Sequence, residues 1–109
     1  MRVLLTLIAL AGMTAMPLAA HAFDTKAAEK VLRDNKCFRC HSVIKEKAGP
    51  TYLKISEKFR GKPDAEQSLI THLTTWPTVE VHGKQERHKK INANDAAIKN
   101  LAQWILSHY

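Results

Sequence analysis

The chain has only two cysteines, and both stand in one pentapeptide, Cys37-Phe38-Arg39-Cys40-His41. C-x-x-C-H is an attachment sequence for covalently bound c-type haem. Two thiols at this spacing can reach the two vinyl groups on one porphyrin edge. The residue after the second thiol then offers an imidazole whose neutral nitrogen binds iron. Other uses of the pair fit less well. A thioredoxin-like redox pair needs a βαβ context, and nothing strand-rich surrounds this one. A structural zinc site needs four ligands, and there is no second C-x-x-C. A Cys37–Cys40 disulfide would close too small a loop to hold a fold together.

The elements that must position these residues read as helices joined by loops, which predicts an all-α chain. Asp24 is the expected N-cap of a helix running to about Asn35, with Ala27, Ala28, Val31 and Leu32 on one face. After the Gly49-Pro50 turn, Thr51 caps a short helix carrying Leu53, Ile55 and Phe59, stopped by Gly61. Pro63-Asp64 opens a third helix bearing Ala65, Leu69, Ile70 and Leu73. The stretch from Trp76 to Ala93 shows no sustained period and is expected to be loop. Asn94 caps a last helix whose stripe is Ala97, Ile98, Leu101, Trp104, Ile105 and Tyr109. Trp104 is expected to be structural, and Trp76 to pack in the core, against a haem or over the loop.

The N-terminus reads as an export signal. Arg2 supplies a positive charge, Val3 to Ala11 is apolar, Pro17 breaks the helix, and Ala20-His21-Ala22 gives a small-x-small cleavage pattern. Residues 1–22 are thus expected to be removed, leaving residues 23–109 as one small domain. Its apolar core would be thin unless a buried haem completed it. Export leads to an oxidising compartment, where haem attachment in the periplasm is an alternative to disulfide formation. After cleavage no membrane insertion is expected.

All basic residues but Arg2, 16 of 17, lie in the mature part with all 10 acidic residues, a net +6. Lys36, Arg39, Lys45 and Lys47 flank the cysteine motif, and Arg87, Lys89 and Lys90 form a second group. Such a rim would steer acidic partners toward a redox centre. Basic residues are not interleaved with aromatics, which argues against nucleic-acid binding. No carboxylate–histidine pair is organised beside Ser42 for hydrolytic work, so an enzyme is not expected.

Along nearly its whole length the mature chain resembles a class I cytochrome c of the small bacterial c551/c552 type. The residues that carry the likeness are the C-x-x-C-H motif after a helix, Lys47-Ala48-Gly49-Pro50-Thr51-Tyr52, Gly61-Lys62-Pro63-Asp64-Ala65-Glu66, and Leu101-Ala102-Gln103-Trp104-Ile105-Leu106. The resemblance implies three to four helices wrapped around one covalently attached haem c. It also implies that the Pro50 carbonyl accepts a hydrogen bond from the ring of His41.

The departure from that family is informative. Its second axial ligand is normally methionine, yet Met1, Met13 and Met16 all lie in the expected signal. In the c551-type pattern the methionine stands sixteen residues before the C-terminal helix tryptophan, and here that position is His88. His88 is therefore the favoured second ligand, with His82 in the same loop as its rival and an open sixth position as a third case. His72 is expected on a helix face, His108 on the terminal helix, and His21 in the signal.

A second histidine is a stronger donor than methionine and favours ferric iron. The expectation is a periplasmic monohaem electron carrier of low potential, with bis-histidine ligation by His41 and His88. The alternative is a haem protein with a labile or open sixth site that binds a small ligand, as a gas sensor or minor redox enzyme.

Overall fold

The computed structural model describes residues 23–109. In chain order they form α1 (Thr25–Asp34), a single 3-10 turn (Cys37–Arg39), α2 (Tyr52–Phe59), α3 (Ala65–Thr74), strands β1 (Thr78–Val81) and β2 (Lys84–Arg87), and α4 (Asp95–Leu106). The expected signal and its cleavage site involve residues 1–22, outside the described residues. No described helix is long and apolar enough to cross a membrane.

The helix starts follow local chemistry. Asp24, Thr51 and Asn94 each accept from the backbone N–H three residues on, satisfying a donor that the first turn leaves orphaned. α1 crosses α4, where Ala28, Leu32, Ile98, Leu101 and Ala102 are buried. Ala28 and Ala102 are small enough to let the two backbones approach. The crossing is pinned at its end by a reciprocal pair: Asp24 N–H donates to Asn100 Oδ1 at 2.7 Å, and Asn100 Nδ2 donates to the Asp24 carbonyl at 2.9 Å. α2 and α3 pack on the remaining faces of α4, with Tyr52, Leu69, Leu73, Trp104 and Ile105 completing the core.

The mostly helical architecture agrees with the sequence reading, and Trp104 is buried as expected. Three expectations need correction. The segment expected as loop contains an antiparallel hairpin, β1 pairing β2 with Val81 opposite Lys84. Its two-residue turn is His82-Gly83, both at positive φ (50° and 78°), the type I′ geometry that matches strand twist. Trp76 is 54 % exposed instead of lying in the core, because α3 ends before it and the chain leaves in extended form at Thr75. Tyr109 lies beyond the end of α4 and is exposed, so it is no part of the apolar stripe.

Candidate functional site

One wall of the site is built from the cysteine motif itself. α1 ends at Asn35, and Lys36 adopts a left-handed φ of 58° that turns the chain into the 3-10 turn. Cys40 N–H and His41 N–H both donate to the Cys37 carbonyl, at 3.1 and 3.0 Å, so the two thiols and the imidazole share one tight turn. Gly49 N–H reaches back to the Cys40 carbonyl at 2.8 Å, laying Gly49-Pro50 against the His41 ring. His41 Nδ1 then lies 2.6 Å from the Pro50 carbonyl oxygen. A carbonyl can only accept, so Nδ1 carries a proton, and the nitrogen left to bind a metal is Nε2. A Cβ on Gly49 would lie 2.6 Å from His41 Cε1, so only glycine permits this approach.

The facing wall comes from the hairpin and the strap that follows it. His88 N–H donates to the Pro77 carbonyl at 2.8 Å, extending the hairpin by one more bond. Three residues on, Ile91 N–H donates to the Leu73 carbonyl at the end of α3, at 2.9 Å. His88 Nδ1 donates to the Lys89 carbonyl at 3.0 Å, which again leaves Nε2 as the free acceptor. Burial, and next the nearby His41, lower the His88 pKa and favour the neutral ring that a metal requires.

Between the walls lies a cavity of about 480 Å³, lined by Cys37, Cys40, His41 and His88 together with apolar groups that include Leu32, Ile55 and Phe59. The ring centres of His41 and His88 are 6.1 Å apart. Two imidazoles bound on opposite sides of one metal, each at about 2.0 Å, have ring centres about 6 Å apart. Tyr52, packed 5.5 Å from the His41 ring, has a buried hydroxyl with no hydrogen-bond partner among the described residues. Burial holds that hydroxyl in its neutral form. Burial likewise raises the Cys37 pKa. Among the described residues there is no group of three or more His, Cys, Asp or Glu side chains that could hold a bare ion. A haem brings four nitrogens of its own, so two protein ligands suffice, and the cavity fits that group.

The remaining histidines divide clearly. His82 sits at the exposed tip of the hairpin, away from the cavity lining. His108 donates from Nδ1 to the Trp104 carbonyl at 2.8 Å. His72 is on α3 as expected, but its ring lines the cavity 4.8 Å from that of His88, and burial, then His88, lowers its pKa. Sequence reasoning missed that placement, the Tyr52 hydroxyl and the hairpin. The hairpin had a signal, since Val79 and Val81 alternate with polar residues up to Gly83.

The family model described as cytochrome c matches residues 25–108. The chain is 32 % identical over 88 residues to cytochrome c-552 of Hydrogenobacter thermophilus, covering 76 % of this chain and 83 % of that one. It is 32 % identical over 75 residues to cytochrome c-552 of Nitrosomonas europaea, covering 69 % and 72 %. Among solved structures, the class 1 cytochrome MtoD of Sideroxydans lithotrophicus ES-1 superposes with a TM-score of 0.77 at 52 % identity, covering 79 % of this chain and 97 % of that one. Wild-type cytochrome c552 of Nitrosomonas europaea gives a TM-score of 0.60 at 28 % identity, covering 74 % and 99 %.

Proposed function

Because this chain belongs to the class I cytochromes c, monohaem proteins that carry electrons rather than turn over a substrate, we propose that it is a low-potential, bis-histidine electron carrier of the periplasm. One observation carries the reading. Two imidazoles stand 6.1 Å apart across a largely apolar cavity that also presents both cysteines. The absence of methionine after residue 16 supports it, as does the export signal read in residues 1–22.

The covalently attached haem c of this family supplies a one-electron ferric–ferrous couple. Cys37 and Cys40 are the residues that would anchor it through thioethers, with His41 and His88 as the axial ligands. The Pro50 carbonyl fixes the tautomer of His41 and raises its basicity, and the Lys89 carbonyl does the same for His88. Leu32, Ile55, Phe59, Leu69 and Ile91 line the cavity and would keep water from a bound haem, limiting reorganisation when its charge changes. Two imidazole donors stabilise ferric iron, so the midpoint falls below that of methionine-ligated relatives by about a few tenths of a volt. Lys36, Arg39, Lys58, Arg87 and Lys89 border the cavity and outnumber Glu80 and Glu86 there, a charge pattern suited to acidic redox partners.

Visible and EPR spectra of the purified protein test this. Low-spin iron in both oxidation states, binding carbon monoxide only slowly, is expected. His88→Ala should lose that signature and His82→Ala should keep it. High-spin iron, or prompt carbon monoxide binding by the wild type, would favour a ligand-binding haem protein instead.

A further inference from the structure

His88 is held by a strap, residues 88–92, and one buried side chain ties that strap to the opposite side of the cavity. Asn35, the residue that ends α1 two positions before Cys37, is only 5 % exposed. Its Oδ1 accepts from Asn92 N–H at 2.9 Å, while its Nδ2 donates to the Val31 carbonyl at 2.9 Å and to the Asn92 carbonyl at 3.4 Å. Its backbone carbonyl accepts from Lys89 Nζ at 3.1 Å. The strap is therefore gripped near both ends by one residue, with Ile91 buried between the grips. Lys89 is also the residue whose carbonyl accepts from the His88 ring. A path of hydrogen bonds thus runs from the His88 imidazole through Lys89 to Asn35.

We infer that Asn35 is the positioning residue that keeps the sixth coordination site closed by holding the His88 strap against the end of α1. The inference rests on His88 being the axial ligand. Asn92 is itself exposed, so without the Asn35 amide its N–H and carbonyl turn to water, which frees the strap to move outward and His88 to move with it. The remaining anchors, at Pro77 and Leu73, lie on the hairpin and α3 and leave the α1 side free to open.

The test is carbon monoxide binding by the ferrous holoprotein, whose rate is limited by how often His88 leaves the iron. Asn35→Ala should bind roughly tenfold faster than wild type, the factor set by losing one or two part-buried hydrogen bonds. Lys89→Met, which removes only the grip on the Asn35 backbone, should give a smaller increase and should fold if Asn35→Ala does not. Ser56→Ala serves as the control for general loosening. It removes the hydrogen bond from a fully buried hydroxyl to the Leu106 carbonyl, away from the strap, and should leave the rate at the wild-type value. Wild-type rates in Asn35→Ala and Lys89→Met would overturn the inference while leaving His88 as ligand. An equal rise in Ser56→Ala would overturn it too. Prompt binding by the wild type would instead remove the ligation on which it rests.

Discussion

The two walls of the cavity hold the same kind of side chain by opposite means. His41 is fixed within residues 37–50. A tight turn, the Gly49 approach and the Pro50 carbonyl leave its ring one position. His88 has only the Lys89 carbonyl beside its ring as a local frame, and its backbone is tied to Pro77, Leu73 and, through Asn35 and Asn92, to α1. The comparison teaches that one histidine is placed by a short peptide and the other by the assembled fold. Disturbing tertiary structure should release His88 first and leave His41 in place.

The largest effect separates the covalent anchor from everything else. Replacing both Cys37 and Cys40 by Ala should leave a chain that cannot retain haem. The apolar cleft would then stay open to water, without the contacts a haem supplies, in a domain too small to have stability to spare. Far-UV circular dichroism should show it largely unfolded. Next is Gly49→Ala, which drives a methyl group into the His41 ring. It should cost about 1–3 kcal/mol in denaturant titrations and perturb the haem spectrum, since overpacking at a well-packed site costs that much. On the other wall, Gly83→Val places a β-branched residue at a φ of 78° and should cost about 1–2 kcal/mol, loosening His88 without disturbing His41.

A smaller, graded effect comes from pH. Burial lowers the pKa of His72, which is no proposed ligand, in the folded chain, while it returns to about 6.5 on unfolding. The unfolded chain therefore binds more protons, and stability rises with pH through this window. The contribution is fully present above about 6.5 and is lost as pH falls through the depressed folded value. Denaturant midpoints measured from pH 8 down to 4 should decline on the acid side, and less steeply in His72→Ala. The smallest effect should be His82→Ala, which alters an exposed turn residue and should leave spectrum and potential unchanged.

The same contrast explains what the sequence made legible. The His41 wall could be read because its determinants are consecutive residues: a spacing of thiols, one histidine and a glycine-proline turn. Helix caps at Asp24, Thr51 and Asn94 were equally local. His88 was reached only by counting back from Trp104 in a family pattern. The hairpin that carries it escaped because Val79 and Val81 alternate too briefly, and His82 is an unusual residue for a positive φ. Asn35 was legible as the end of a helix but not as the clamp on Asn92, since the two meet only when α1 and the strap are folded together.

The central claim is that His41 and His88 together set the potential of the iron. Spectroelectrochemical titration of the wild type beside His88→Met tests it most directly. The account predicts a wild-type midpoint about a few tenths of a volt below that of the variant, with a sulfur-to-iron charge-transfer band appearing only in the variant. A wild-type midpoint already equal to that of methionine-ligated cytochromes, unmoved by the substitution, would contradict it.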